Sequence, residues 1–209
     1  PADGSQLYSD PAFHAYYAAT LYQVGRAEEG IVQARRALAV VRGAPDVPQD
    51  VRRLYQQNRV DLELVYAAIL PVLHAAHDEN TQGVMDAYLA LPAQDWVSWA
   101  NRAAVMLEIG DLPSALNANG QAMGGAPTHP VVLNNQCYIL VSMGRASEAL
   151  PHCLGARDGA PDIAAVRHSV ASAYAALGRC ADAEAELAEA RRLDPVTLEY
   201  RQPLTCAAN

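Results

Sequence analysis

Small and large apolar residues in the stretch 164–197 recur at the spacing of one helical face, and this pattern predicts two short helices packed back to back. The first helix is predicted over 164–177. It ends at Gly178, because glycine readily takes the left-handed conformation that closes a helix. The second helix is predicted over 181–193 and ends before Pro195, which cannot continue it.

The same pattern occurs three times at a fixed period of 34 residues. Each copy has a glycine at the predicted turn, two alanines in the second helix and a proline after it. These residues are Gly110, Ala115, Ala122 and Pro127, then Gly144, Ala149, Ala156 and Pro161, then Gly178, Ala183, Ala190 and Pro195. A constant period is typical of helical repeats that stack on one another, so we predict regular repeats at 96–129, 130–163 and 164–197.

The repeat resembles that of the tetratricopeptide family, a helix–turn–helix with Trp, Leu-Gly, Tyr, Ala, Phe and Pro at set places. Trp99 stands in the Trp place, and Tyr174 stands in the Tyr place. In the other copies the apolar residues Met106 and Leu140 replace Tyr. The Ala place of the first helix is filled by the small residues Ala103, Cys137 and Ala171. The Phe place matches less well, with Asn119, Cys153 and Leu187. The resemblance implies an all-α, right-handed α-solenoid of antiparallel helix pairs with a concave groove.

The rest of the chain is predicted to extend this solenoid, so that residues 1–209 form one domain. Residues 11–44 match as a more divergent repeat. Residues 46–95 are out of step with the period and predict an irregular helix pair, in which Pro71 should kink or break an overlong first helix. Residues 198–209 are predicted to form a C-terminal cap, since the end of a solenoid needs a polar outer face.

Composition narrows the choice of partner. Apolar residues make up 51% of the sequence, which favours a folded domain, and no apolar run is long enough to span a membrane. The net charge of −8 argues against nucleic acid, which binds basic surfaces. The sequence begins at Pro1 with no visible signal peptide, so we expect a mature or trimmed product whose targeting segment is out of view.

Four cysteines fall into two pairs. Cys137 and Cys153 lie at nearly equal distances before and after the predicted turn of the middle repeat, so an antiparallel hairpin places them opposite each other, within reach of a disulfide. By a similar count, Cys180 can meet Cys206 in a segment that folds back over the last repeat. Two disulfides predict an oxidising, exported compartment such as a periplasm. The alternative is a cytoplasmic protein in which Cys fills small buried positions.

The first helices of the repeats carry the candidate binding residues, because helical solenoids usually bind on their concave face. Asn101, Asn135 and Ser169 hold the same place in three successive repeats. This row is similar to the asparagine ladders of some tetratricopeptide grooves, in which side-chain amides bind a peptide backbone. The predicted groove residues are Asn101, Arg102, Asn134, Asn135, Tyr138, His168 and Ser169. The alternative is that the asparagines are merely solvated on an exposed face.

A second candidate site lies at His74, His77 and Asp78. Two histidines three residues apart share a helix face and suggest a metal site, but the spacing and the absent Glu do not match a zinc-protease motif. No nucleophile elbow, phosphate-binding loop or obvious carboxylate pair points to an enzyme.

We therefore predict a non-catalytic scaffold or assembly factor, without a cofactor, that binds another protein or an extended peptide in a bacterial exported setting. The alternative is an accessory domain of an enzyme, or a metal-binding protein that uses His74 and His77. The sequence sets no oligomeric state.

Overall fold

The computed structural model describes residues 10–43, 49, 61–93 and 95–207. All regular secondary structure in these residues is α-helical, which confirms the predicted all-α class. The helices are α1 (Pro11–Gln23), α2 (Ala27–Arg42), α3 (Leu62–Ala75), α4 (Thr81–Ala90), α5 (Trp96–Glu108), α6 (Leu112–Gly125), α7 (Pro130–Ser142), α8 (Ala146–Gly159), α9 (Ala164–Ala176), α10 (Cys180–Leu193) and α11 (Leu198–Arg201).

The chain divides into two compact units, Pro1–Pro92 and Ala93–Asn209. Unit 1 holds α1 to α4, and unit 2 holds α5 to α11. The single solenoid over 1–209 therefore stays a prediction. The irregular helix pair is predicted at 46–95, and its first part, 46–60, lies outside the described residues except for position 49. The last two residues of the predicted cap also lie outside them.

Unit 1 is built on α3, which packs against both α1 and α2. The helix begins where the Asp61 carboxylate accepts hydrogen bonds from the amides of Glu63 and Leu64. It then continues through Pro71 to Ala75, so Pro71 does not break this helix, and the alternative that it kinks the helix stays a prediction. Pro71 is buried with the apolar residues around it, and this packing outweighs the hydrogen bond that proline cannot make.

Four helix hairpins turn in the same way. Gly25, Gly110, Gly144 and Gly178 have φ angles of 81°, 80°, 74° and 71°, which only glycine adopts without strain. The amide after each glycine donates to a carbonyl in the last turn of the first helix, as in the 2.8 Å bond from Arg145 N to the Leu140 carbonyl. The repeated glycine therefore sets the turn between the two helices of each pair.

Two contacts in unit 2 follow the period of the sequence. A Cβ atom on Gly125 would lie 2.8 Å from the Cβ of Trp96, and one on Gly159 would lie 2.7 Å from the Cγ of Pro130. Both pairs join the end of a second helix to the start of its own first helix. Only glycine permits this approach, so the two helices of each pair cross in the same way in α5–α6 and α7–α8.

The helix α11 begins one period of 34 residues after α9, at the place of a further first helix. Arg167 Nε donates to the Pro161 carbonyl at 2.8 Å, and Arg201 Nε donates to the Pro195 carbonyl at 2.8 Å. Each residue of the second pair lies one period of 34 residues after its counterpart in the first. The predicted C-terminal cap thus begins in register with the first helices α5, α7 and α9.

Polar side chains join successive helix pairs. Glu186 of α10 accepts a 2.8 Å bond from Arg157 of α8 and another of 2.8 Å from Arg167 of α9. Asn119, at the Phe place of its repeat, is fully buried and donates to the Val132 carbonyl and to Gln136 Oε1 in α7. Because these hydrogen bonds cross from one helix pair to the next, they fix how one pair stacks on the next.

The two predicted disulfides are confirmed. The Sγ atoms of Cys137 and Cys153 lie 2.14 Å apart, and this bridge joins α7 to α8 within one hairpin. The Sγ atoms of Cys180 and Cys206 lie 1.99 Å apart, and this bridge joins the start of α10 to the segment after α11.

Candidate functional site

All seven predicted groove residues lie on the first helices α5, α7 and α9, which neighbour one another in that order in unit 2. We call the surface of these helices that carries Val97, Asn101, Val131, Asn134, Tyr138 and His168 the first-helix face. The predicted residues differ widely in exposure. Asn101 is exposed, and Asn134 and Tyr138 are half-buried. The other four are buried: Arg102, Asn135, His168 and Ser169.

Asn135 and Ser169 already have partners inside the protein. The Asn135 side chain is 9% exposed, and its Nδ2 donates to the Ala100 carbonyl at 3.0 Å, which joins α7 to α5. The Ser169 hydroxyl donates to the Ala165 carbonyl of its own helix at 2.9 Å. The row of equivalent polar residues therefore contributes to the stacking of repeats, and only Asn101 among its three members is open to solvent.

Arg102 belongs to the core of unit 2. It is 1% exposed, and its guanidinium carbon lies 5.1 Å from the centre of the Trp99 ring. Trp99 in turn packs, with Trp96, against the buried cluster of Ala100, Ala122 and Val132. A buried guanidinium in this setting positions an aromatic ring, and it does not present its charge to a ligand.

On α5 and α7, the accessible part of the first-helix face is apolar at the start of the helix and carries an amide one turn further on. Val97 is 41% exposed and Val131 is 52% exposed, at the same place in successive repeats. Asn101 follows on α5, and Asn134 follows on α7. Asn134 is only half-buried, but its Oδ1 atom is fully buried and accepts no hydrogen bond within the described residues, so Asn101 carries the accessible amide.

Tyr138 and His168 are covered by α11. The Tyr138 hydroxyl donates to Glu199 Oε1 at 3.3 Å, and the ring of Tyr200 lies 5.1 Å from the ring of His168. Burial, followed by the nearby carboxylate of Glu199, raises the pKa of Tyr138. Burial lowers the pKa of His168, and Glu199 opposes this shift. Both side chains thus already contact a segment of the same chain.

The second candidate site does not bring its residues together. His74 and His77 are exposed, whereas the Asp78 carboxylate points inward and accepts bonds from Arg35 Nε at 2.7 Å and from Asn80. Although burial raises the pKa of Asp78, the bonds from Asn80 and Arg35 outweigh it and lower this pKa. In the part of the chain that the structure describes, no three His, Cys, Asp or Glu residues are placed to hold a metal ion.

Sequence reasoning did not find the contacts made by Glu199, Tyr200 and Leu204. Leu204 packs against the cluster that contains Leu140, Val170 and Tyr174. One signal was present in the sequence, because pairing Cys180 with Cys206 requires the segment between α10 and Cys206 to fold back. The predicted pairing fixed the ends of this loop but not the surface that it covers.

The fold is that of a tetratricopeptide repeat protein. The structure is similar to that of TTC0263, a thermophilic tetratricopeptide protein of Thermus thermophilus, with a TM-score of 0.63 and 16% identity over 90% of this chain and 93% of that one. It is also similar to residues 41 to the end of MamA from Desulfovibrio magneticus RS-1, with a TM-score of 0.50 and 17% identity over 69% of this chain and 82% of that one. No protein-family model and no curated protein matches the sequence.

None of the helices in the described residues is long and apolar enough to cross a membrane.

Proposed function

We propose that unit 2 is a non-catalytic scaffold or assembly factor that binds an extended peptide, or an exposed segment of another protein, on the first-helix face. The observation that carries this proposal is the exposed row of Val97 and Val131 beside Asn101 and Asn134. The exposed valines at matching places offer contacts to peptide side chains, and the exposed amide of Asn101 offers hydrogen bonds to a peptide backbone.

The charge and the disulfides support the setting of this function. The net charge of −8 disfavours nucleic acid as a partner. The two disulfides favour an oxidising, exported compartment, and a bacterial periplasm is the example that we propose. Thiol titration of denatured protein isolated from its source without reductant tests the compartment. We expect no free thiol, and four free thiols would overturn this part of the proposal.

The binding proposal is tested with a peptide selected from a displayed random library on the oxidised chain. We expect Val97→Asp with Val131→Asp to weaken binding of the selected peptide at least about ten-fold, because a carboxylate replaces apolar contact area. Val32→Asp is the matched control, since Val32 is an exposed valine of α2 in unit 1, with 48% exposure. Equal affinity for the double variant and the control would remove the first-helix face from the function.

A further inference from the structure

We propose that the segment 198–207 is an internal occupant of the first-helix face, held over Tyr138 and His168 by the Cys180–Cys206 disulfide. Reduction of this disulfide frees the site for a partner peptide that carries a carboxylate next to an aromatic ring. The inference rests on the proposed function, because it names both the class of ligand and the control of the same face.

The end segment places a carboxylate and an aromatic ring against Tyr138 and His168. One carboxylate oxygen of Glu199 lies 3.3 Å from the Tyr138 hydroxyl and 3.7 Å from His168 Nδ1. Its neighbour Tyr200 is 9% exposed and places its ring 5.1 Å from that of His168. A single helical turn therefore fills the site with an adjacent carboxylate and aromatic ring, and this pair defines what the site accepts.

The contacts of Glu199 fall on two different first helices. Tyr138 is on α7 and His168 is on α9, so Glu199 of α11 contacts the two preceding first helices. The segment therefore does more than cap the last helix pair. It lies on the part of the first-helix face where the sequence predicts peptide binding, and it takes up two of the predicted groove residues.

The end segment is held in place by contacts with unit 2 and by the disulfide at Cys206. The helix α11 has only four residues, too few to be stable alone. Beyond it, Leu204 packs against the core cluster of unit 2, and the Ala207 amide donates to the Ala175 carbonyl at 2.9 Å. The segment also accepts a 2.7 Å bond from Arg191 Nε at the Tyr200 carbonyl. The disulfide at Cys206 keeps these contacts at a high effective concentration, so its loss shifts the segment toward release.

The two disulfides differ in their exposure to solvent. Cys180 is exposed, whereas Cys137 and Cys153 are both 0% exposed. A thiolate of an external dithiol attacks Cys180 Sγ and displaces Cys206 as a thiolate. The second thiol of the reagent then closes a cyclic disulfide and releases Cys180, so two electrons pass from the dithiol to the bridge and solvent protonates both cysteines. The buried bridge is out of reach of this attack.

The first experiment uses the unmodified full chain with increasing dithiothreitol. Alkylation and mass spectrometry identify which cysteines react, and hydrogen exchange follows the backbone amides. We expect Cys180 and Cys206 to react before Cys137 and Cys153, and amide exchange in 198–207 to rise at least about ten-fold when they do. Prior reaction of the buried pair, or unchanged protection of 198–207 after reduction, would overturn the inference and leave the segment as a permanent cap.

The second experiment asks whether the emptied site binds the same chemistry from outside. The probe is a labelled synthetic peptide with the sequence PVTLEYRQPLT, which copies residues 195–205 and contains no cysteine. We expect it to bind the full chain carrying Glu199→Ala, Tyr200→Ala and Cys206→Ser at least about ten-fold more tightly than it binds the oxidised wild type. The control peptide has Ala in place of its Glu and Tyr and should lose this binding.

The two proposals fail separately. If the Glu-Tyr peptide does not bind the emptied chain while the library-selected peptide still binds the first-helix face, the inference falls and the proposed function stands. If Val97→Asp with Val131→Asp leaves library-peptide binding unchanged, the proposed function falls, whatever the result with the Glu-Tyr peptide. Thermal unfolding of each variant checks that unit 2 remains folded, and the wild-type reduction experiment needs no substitution.

Discussion

The two disulfides of unit 2 close loops of similar size but are placed in different parts of its structure. Cys137 and Cys153 are 16 residues apart and are fully buried between the two helices of the middle pair. Cys180 and Cys206 are 26 residues apart, and they tie an end segment to the exposed start of α10. The surroundings of a bridge decide its effect: the first joins two packed helices, and the second ties an end segment to the surface of unit 2.

Removal of each bridge in turn separates their effects on stability. We expect Cys137→Ala with Cys153→Ala to lower the free energy of unfolding by about 3 kcal/mol, because the unfolded chain gains freedom and the core loses contacts. Cys180→Ser with Cys206→Ser is the matched variant and should shift the thermal unfolding of unit 2 much less, since it frees only the end segment. Equal losses of stability in the two variants would contradict the proposed division of roles.

A second prediction concerns the ion pairs that join the middle helix pair to the last one. Glu186→Ala leaves Arg157 and Arg167 without their shared carboxylate, and we expect a loss of about 2–3 kcal/mol in denaturant unfolding. Glu184→Ala is the control, because Glu184 is 66% exposed and its pair with Arg191 lies at the surface. The loss should be the same with and without the Cys180–Cys206 bridge. A loss confined to the reduced protein would mean that the end segment also supports this stacking.

A third, smaller effect separates stacking residues from binding residues on the same face. Asn135→Ala removes the bond to the Ala100 carbonyl, and we expect a loss of about 1 kcal/mol. Asn101→Ala should leave thermal unfolding unchanged, because Asn101 is exposed, but should weaken peptide binding. The opposite result, with binding lost only in Asn135→Ala at unchanged stability, would restore Asn135 as a ligand-binding residue.

Features with a local or periodic cause could be predicted from the sequence. The glycine at each turn and the spacing of small residues determine a helix hairpin through the backbone, so the all-α fold followed from the pattern. The pairing of Cys137 with Cys153 followed from the same hairpin geometry. Each of these features depends on residues within one repeat.

The burial and the hydrogen-bond partners of the candidate residues could not be predicted, because they depend on contacts between repeats. Arg102 and Asn135 look like surface residues in a sequence, and their burial is set by how closely neighbouring helices approach. Asn119 fills the Phe place with a hydrogen-bonded amide because α7 brings acceptors to it. The contact between Tyr138 and Glu199 spans 61 residues and has no periodic signal.

The smallest expected effect is a dependence on pH that belongs to the end segment. Burial lowers the pKa of His168, so below its ordinary pKa of 6.5 the unfolded chain binds a proton more readily than the folded chain. The stability that neutral His168 provides is therefore complete above pH 6.5 and is lost as the pH falls, with Glu199 opposing the loss. Tyr138 and Tyr200 complete the side-chain contacts described for His168, and burial raises the pKa of each, so neither is charged in this range.

This dependence can be measured as faster hydrogen exchange of residues 198–201 in oxidised protein between about pH 7.5 and about pH 5.5, after correction for the intrinsic exchange rates. His168→Gln should abolish the change, and His129→Gln should keep it, because His129 is exposed. If the change persists in His168→Gln, the segment is held independently of this histidine.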